Sequence, residues 1–76
     1  MNNVRRRKLS VVTGLLDRAL DIINMVSEEE QDSLDNMPES LQDTERGEKM
    51  ENAIELLESA AEQIEEAKDN IEAAIR

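Results

Sequence analysis

The chain has 76 residues with 19 acidic and 9 basic side chains, a net charge of −10, and no histidine, cysteine or aromatic residue. A chain this short folds as at most one small domain, and it lacks the thiolates and imidazoles used by cysteine nucleophiles, imidazole bases, disulfides and zinc sites. A large enzyme is therefore excluded. We expect a single domain over residues 1–76, with no enzymatic activity, no cofactor, no metal site and no small-molecule substrate.

Residues 1–26 are basic, because five basic and two acidic side chains give this segment a charge of +3. The apolar run after residue 8 resembles the start of a signal peptide, but Asp17, Arg18 and Asp21 interrupt it too early. No segment approaches the ~18 apolar residues that a membrane span needs. We therefore expect a cytoplasmic protein that neither crosses nor binds a membrane.

A basic cluster opens the first predicted helix: Arg5, Arg6, Arg7 and Lys8. Such a cluster can contact phosphates or anionic lipid, but the chain has no aromatic side chain to stack on bases. We expect the cluster to pair within the chain, with carboxylates near the end of the second helix: Glu65, Glu66, Asp69 and Glu72. Contact with an acidic partner, a nucleic acid or a membrane is the alternative.

Apolar residues at alternating spacings of three and four predict a first helix over about residues 3–34. The predicted seam of this helix consists of Leu9, Val12, Leu16, Ala19, Ile23 and Val26. We expect Asn36 to adopt a left-handed C-terminal cap and Pro38 to stop the helix. Residues 35–43 then form a polar turn in which Leu41 is expected to cover the end of the helix pair.

The first helix also carries a second apolar stripe, which one neighbouring helix leaves uncovered: Val11, Leu15, Ile22 and Met25. A lone hairpin without a disulfide or a metal is marginal below ~70–80 residues. We therefore predict that the stripe is the interface of a homodimer, and the alternative is that a different protein covers it. Gly14 is interpreted as a tolerated surface glycine or as a point of close approach by another chain.

Four heptads predict a second helix over about residues 44–75, with Asp43 or Thr44 as its N-cap. Large apolar residues recur every seven positions, and alanines are expected to alternate with them in the seam: Met50, Ala53, Leu57, Ala60, Ile64, Ala67, Ile71 and Ala74. Two helices of similar length favour an antiparallel pair. We predict an all-α fold, a coiled-coil-like two-helix hairpin that dimerises into a four-helix bundle.

One flank of the second helix is acidic. Six glutamates form the candidate partner-binding face, with a merely solvated face as the alternative: Glu51, Glu55, Glu58, Glu62, Glu65 and Glu72. The acidic pattern at residues 65–69 also has the spacing with which helical nucleotide pyrophosphohydrolases hold magnesium. Those enzymes need a second carboxylate group on a facing helix, where this chain offers only Asp17 and Asp21. We interpret the pattern as part of the solvated face.

The turn sequence DNMPESLQ at residues 35–42, the following ERGE at residues 45–48 and the Ile-Glu-x-Leu-Glu-x-Ala heptads carry a resemblance. Together they resemble small acidic helical proteins encoded by phages and prophages of Gram-positive bacteria. The resemblance implies an accessory protein of a mobile element, located in the cytoplasm of the bacterial host, that modulates a host or phage enzyme. It assigns no role to any individual residue.

Three functions follow from these patterns. The first is an acidic binding protein that docks on a basic, nucleic-acid-binding protein surface and inhibits or modulates it, as a mimic of DNA. The second is a coiled-coil assembly module that binds through the second stripe of helix 1. The third is a small nucleic-acid-binding regulator that uses the basic cluster. The third is disfavoured because residues 27–76 hold 17 acidic and four basic side chains, a charge of −13.

Overall fold

A computed structural model describes all residues, 1–76, and its chain is 89% helical without strands. Helix α1 spans Asn3–Asp35, the short helix α2 spans Glu39–Gln42, and helix α3 spans Glu45–Ile75. The all-α prediction is confirmed, and both long helices begin and end within one residue of their predicted limits. The additional helix α2 lies inside the predicted turn.

A polar side chain caps the start of α1, and backbone hydrogen bonds of the turn close the facing ends of α1 and α3. The side chain of Asn2 accepts a hydrogen bond from the backbone N–H of Arg5 at 2.9 Å and caps α1. Thr44 is the N-cap of α3, with an extended backbone. The prediction of a left-handed cap at Asn36 is wrong, because its φ is −83°. Its N–H instead bonds the carbonyl of Asp32, and the chain leaves the helix in a right-handed turn.

Helices α1 and α3 pack along their lengths in opposite directions. The guanidinium Nε of Arg6 donates to the carbonyl oxygen of Ile75 at 2.9 Å, so the start of α1 meets the end of α3. Further along the pair, the ammonium of Lys68 contacts Asp17. The molecule is extended, with dimensions of 59 × 14 × 13 Å and a radius of gyration of 17.3 Å. A compact chain of this length has a radius of about 11 Å.

The packed face of α3 differs in part from the predicted seam. The predicted large apolar residues of α3 lie at the contact with α1. Beside them lies a second row of residues that are seven positions apart, namely Ile54, Ala61 and Lys68, where alanines were predicted. Ala67 and Ala74 are exposed, so the alanine row is wrong for the second half of α3. The half-buried or buried residues of α3 are Gly47, Met50, Ala53, Ile54, Leu57, Ala60, Ala61, Ile64, Lys68, Ile71 and Ile75.

The packed face of α1 is rotated in the same way. Val12 and Val26, predicted to lie in the seam, are exposed. The half-buried or buried residues of α1 are Arg6, Leu9, Thr13, Leu16, Ala19, Leu20, Ile23, Ser27, Glu30 and Leu34. Because several of these are polar, the interface encloses little apolar volume. Leu34 and Ile54 are the only buried apolar side chains in the molecule.

The turn is closed by Gln42 rather than by Leu41. The side-chain amide of Gln42 donates to the carbonyl oxygens of Leu34 at 3.3 Å and Met37 at 2.9 Å. Leu41, which was expected to cover the end of the pair, is 48% exposed. The backbone of Gln42 crosses directly over Gly47 in the first turn of α3, where a Cβ atom would lie 2.0 Å from the Gln42 carbonyl oxygen. This close approach fixes where the turn joins α3.

Candidate functional site

The acidic flank of α3 is a continuous row of exposed carboxylates, which we name the carboxylate ridge. It includes all six predicted glutamates, and Glu48 and Asp69 complete it at spacings of three and four residues. The sequence prediction omitted these two residues, although the alternation of three and four identifies both. Glu48 precedes the first predicted glutamate by three residues, and Asp69 fills the gap between Glu65 and Glu72. The row spans 25 residues, a length of about 36 Å at 1.5 Å per residue step. Its members are Glu48, Glu51, Glu55, Glu58, Glu62, Glu65, Asp69 and Glu72.

The ridge has little compensating positive charge. Residues three and four apart on a helix are neighbours, so each carboxylate of the ridge repels the next. The one ion pair that reaches the ridge joins Lys68 to Glu72 at 4.0 Å, and Lys49 pairs with Glu45, which lies off the ridge. The ridge is therefore a strip of nearly uncompensated negative potential along one side of the molecule.

Lys68 joins the two long helices beside the ridge. Its ammonium lies 2.6 Å from a carboxylate oxygen of Asp17, and its side chain is 28% exposed. The hydrogen bond to Asp17 and the charge of that carboxylate raise the pKa of Lys68 above its usual value, and Glu72 and Asp69 contribute in the same direction. Sequence reasoning missed Lys68. The available signal was its position seven residues after Ala61 and fourteen after Ile54, in the row that faces α1.

A shallow groove of about 320 Å³ lies between the ridge and α1 near the turn. Glu51, Glu55 and Glu58 line it from the ridge, and Gln31 lines it from α1. The two buried side chains of the molecule, Leu34 and Ile54, complete its lining. Half of the predicted acidic face thus borders both helices, so a partner that binds there contacts α1 as well as α3.

The predicted oligomer interface lies on the face of α1 that is turned away from α3. Its four residues Val11, Leu15, Ile22 and Met25 are between 56% and 63% exposed, and Val4 extends the same face. We name these five residues the outer stripe. Five large apolar side chains in one row are an unusual concentration for the surface of so small a protein. No atom lies within 4 Å of the position that a Cβ of the neighbouring Gly14 would take.

The basic cluster does not pair with acidic side chains of α3. Arg6 alone reaches α3, through the carbonyl of Ile75, and it also donates to the side chain of Asn3 at 3.2 Å. No ion pair joins the cluster to Glu65, Glu66, Asp69 or Glu72, so that predicted pairing is wrong. The free carbonyls at the end of a helix attract cations, which explains the position of Arg6. Arg5, Arg7 and Lys8 are exposed.

Neither long helix contains an apolar stretch of the length that a membrane span requires. Comparisons with known protein families, curated proteins and solved structures found no match to this chain. Two surfaces of the molecule are candidates for binding a partner, the carboxylate ridge on α3 and the outer stripe on α1.

Proposed function

We propose that the chain is a non-enzymatic binding protein whose carboxylate ridge docks on the basic, nucleic-acid-binding surface of another protein and blocks it. The observation that carries this proposal is the unbroken row of eight exposed carboxylates with a single cation at its edge. In the same proposal, the chain is a helical hairpin that forms a homodimeric four-helix bundle through the outer stripe. It acts as a small accessory protein of a mobile element.

The ridge is costly for the helix that carries it. Like charges at spacings of three and four destabilise a helix by about 0.2–0.5 kcal/mol per pair. Solubility alone is obtained more cheaply by mixing both signs of charge over a surface. A row that repels itself along the length of α3 is therefore better explained by an external cationic surface that compensates it.

The geometry of the ridge supports competition with a nucleic acid. Successive carboxylates advance about 5 Å along the helix axis, whereas phosphates on one DNA strand advance about 3.4 Å. The ridge thus has about two-thirds of the linear charge density of one strand. A helix holds these charges in a fixed line, so a partner with a row of lysine or arginine side chains meets a preorganised surface. Complementary charge of this kind accelerates association, and salt weakens it.

The two surfaces do not compete for space. The outer stripe lies on α1, on the face turned away from α3, and the ridge lies on α3. A homodimer formed through the outer stripe therefore leaves both ridges exposed. Two ridges in one particle increase the apparent affinity for a partner that has repeated basic sites.

Capture from a bacterial lysate on immobilised chain tests the role of the ridge. The variant Glu51→Lys, Glu58→Lys, Glu65→Lys reverses three ridge charges and should capture no specific protein. The matched control, Asp35→Lys, Glu39→Lys, Asp43→Lys, has the same net charge with the ridge intact and should capture as wild type does. Salt and added duplex DNA should both release the captured protein, because it binds the ridge through a nucleic-acid site.

The second candidate function is a coiled-coil assembly module, which the exposure of the outer stripe favours. It predicts capture that survives both the ridge reversal and high salt but is lost in Leu15→Asp or Ile22→Asp. That result would contradict the ridge proposal and move the partner site to α1. Retention of duplex DNA by the chain itself, lost when the basic cluster is neutralised, would instead indicate a nucleic-acid-binding regulator.

A further inference from the structure

We propose that the outer stripe is covered by a second copy of this chain packed antiparallel, with the two-fold axis at Arg18. In this register Leu15 of one copy faces Ile22 of the other, Val11 faces Met25, and Lys8 faces Glu29. The inference rests on the homodimer proposed above and fixes its orientation, its register and the charged residues that select them.

The outer face of α1 matches its own reverse about Arg18 to within one residue. Nine exposed residues follow one another at alternating spacings of four and three, so each residue on one side of Arg18 has a counterpart at the same distance, or one residue further away, on the other side. One residue corresponds to an axial offset of about 1.5 Å. The nine are Val4, Lys8, Val11, Leu15, Arg18, Ile22, Met25, Glu29 and Asp32. A two-fold axis therefore brings the apolar centre onto itself, as an isologous interface requires.

The charges at the two ends of this face are complementary only in the antiparallel orientation. Arg7 and Lys8 lie at its start, and Glu28 and Glu29 lie near its end. None of these four takes part in an ion pair within the chain, whose ion pairs are formed by Lys49 and Lys68. Both groups also oppose the dipole of α1, which favours acidic residues at the start and basic residues at the end. An antiparallel copy places each group beside the opposite one.

The exposed area of the chain matches the requirement of a dimer. The accessible surface is 5829 Å² for a mass of 8.6 kDa. A compact monomer of that mass exposes about 4,700 Å², so the chain exposes about 1,100 Å² in excess. A stable interface buries about 800 Å² on each partner. The outer stripe lies in the least acidic part of the chain, where two molecules of net charge −10 approach each other with the least repulsion.

Arg18 is the one charged residue at the centre of the stripe, and in this register it meets its own copy at the axis. Its apolar stem can cover the neighbouring aliphatic side chains while its guanidinium stays in water. Asp21, three residues further along the same helix, is within reach of that guanidinium. A parallel pair would also bring the two copies of Arg18 together, and it would additionally stack Lys8 on Lys8 and Glu29 on Glu29.

Sedimentation equilibrium of the full chain with charge-swapped variants tests the orientation. Arg7→Glu, Lys8→Glu makes both ends of the face acidic, and Glu28→Lys, Glu29→Lys makes both ends basic. Each should raise the dimer Kd about tenfold or more, because attraction becomes repulsion at both ends of the interface. The combination of all four substitutions should restore the Kd to within about threefold of wild type, since the opposite charges face each other again.

A matched control separates pairing from net charge. Glu55→Lys, Glu62→Lys changes the net charge as much as Glu28→Lys, Glu29→Lys does, but on the carboxylate ridge, and should leave the Kd within about threefold of wild type. If this control acts like the interface variant, charge pairing at the stripe is refuted. In a parallel pair, the two double variants would each keep the wild-type Kd, and an equimolar mixture of the two would associate more tightly than wild type. That result would overturn the inference. A second copy is excluded altogether by an 8.6 kDa mass at every concentration.

These outcomes are distinct from those of the ridge experiment. A wild-type chain that stays monomeric refutes both the register and the homodimer. Capture of a basic protein is tested separately, with variants on a different helix. A parallel dimer overturns only the register. Failure of the ridge variant to lose its captured protein leaves the dimer result intact.

Discussion

The two glycines of the chain lie in opposite surroundings. A Cβ on Gly47 would lie 2.0 Å from the carbonyl oxygen of Gln42 and 2.8 Å from its Cα, which are rigid backbone atoms. A Cβ on Gly14 would meet nothing within 4 Å. Both residues are helical and neither has a positive φ, so the difference between them comes from packing and not from backbone conformation.

We predict opposite signs for the same substitution at these two positions. Gly47→Ala should lower the free energy of unfolding by about 1–3 kcal/mol, because the backbone of the turn must move away from α3. Gly14→Ala should raise it by up to about 1 kcal/mol, because alanine favours helix over glycine. Urea unfolding followed by circular dichroism at one fixed protein concentration measures both. An equal gain at both sites would show that the turn does not pack on Gly47.

At the scale of the helices, the sequence pattern determines one row of the seam and leaves the other open. Met50, Leu57, Ile64 and Ile71 are predicted and observed at the contact. The predicted alanine row is correct in the first half of α3 and wrong in the second, because apolar residues occupy more than one side of α1 and small residues line two sides of α3. The observed rotation is selected by residues of both helices together, including the contact of Lys68 with Asp17. The apolar periodicity of one helix alone does not determine this rotation.

The same limit applies to the candidate site. The regular spacing of α3 was sufficient to predict six of the eight ridge carboxylates. The row of Ile54 and Ala61 indicates that Lys68 faces α1, but its partner Asp17 lies on the other helix and was not predictable from α3 alone. Likewise, the sequence does not distinguish Arg6 from the other three cations of the basic cluster. Only the structure shows that it donates to the carbonyl oxygen of Ile75 at the end of α3. Contacts between distant segments decide such roles.

The pairing of Lys68 with Asp17 should make the stability of the α1–α3 pair depend on alkaline pH. The pKa of Lys68 is raised in the folded chain, so its contribution is fully present below its ordinary unfolded value of 10.5. That contribution is lost as the pH rises through the higher folded pKa.

Melting temperatures of wild type and Lys68→Arg from pH 8 to pH 12 check this expectation. Arginine keeps its charge over the whole range, so the variant should lose less stability than wild type above pH ~10.5. The other two lysines, Lys8 and Lys49, are common to both proteins and cancel in the comparison. Melting curves that fall in parallel with pH would show that the Lys68–Asp17 contact does not stabilise the folded chain.

At the scale of the whole molecule, the chain encloses too little apolar surface for its length. Leu34 and Ile54 are its only buried apolar side chains, while the outer stripe is more than half exposed. Polar groups such as Thr13 and Ser27 occupy positions in the α1–α3 interface. A pair of helices of this kind has a marginal stability of its own, and burial of the outer stripe would add hydrophobic stabilisation.

The last prediction is that folding and association are coupled, so that the melting temperature depends on protein concentration. A hundredfold increase in concentration stabilises a dimer of this kind by about 2.7 kcal/mol, which corresponds to a rise of about 5–10 °C for a two-chain assembly of this size. Thermal melts between about 5 and 500 µM, with masses from light scattering, provide the measurement.

Leu15→Asp should remove the dependence and lower the melting temperature, because a buried unpaired carboxylate prevents association. Glu58→Gln, on the exposed ridge, should keep the concentration dependence and raise the melting temperature slightly, because it removes two like-charge contacts of the ridge. A melting temperature that stays constant, together with the monomer mass of 8.6 kDa, would require the α1–α3 pair to be stable alone. The outer stripe would then be free for a different protein, because no stabilisation of the folded chain would depend on its burial.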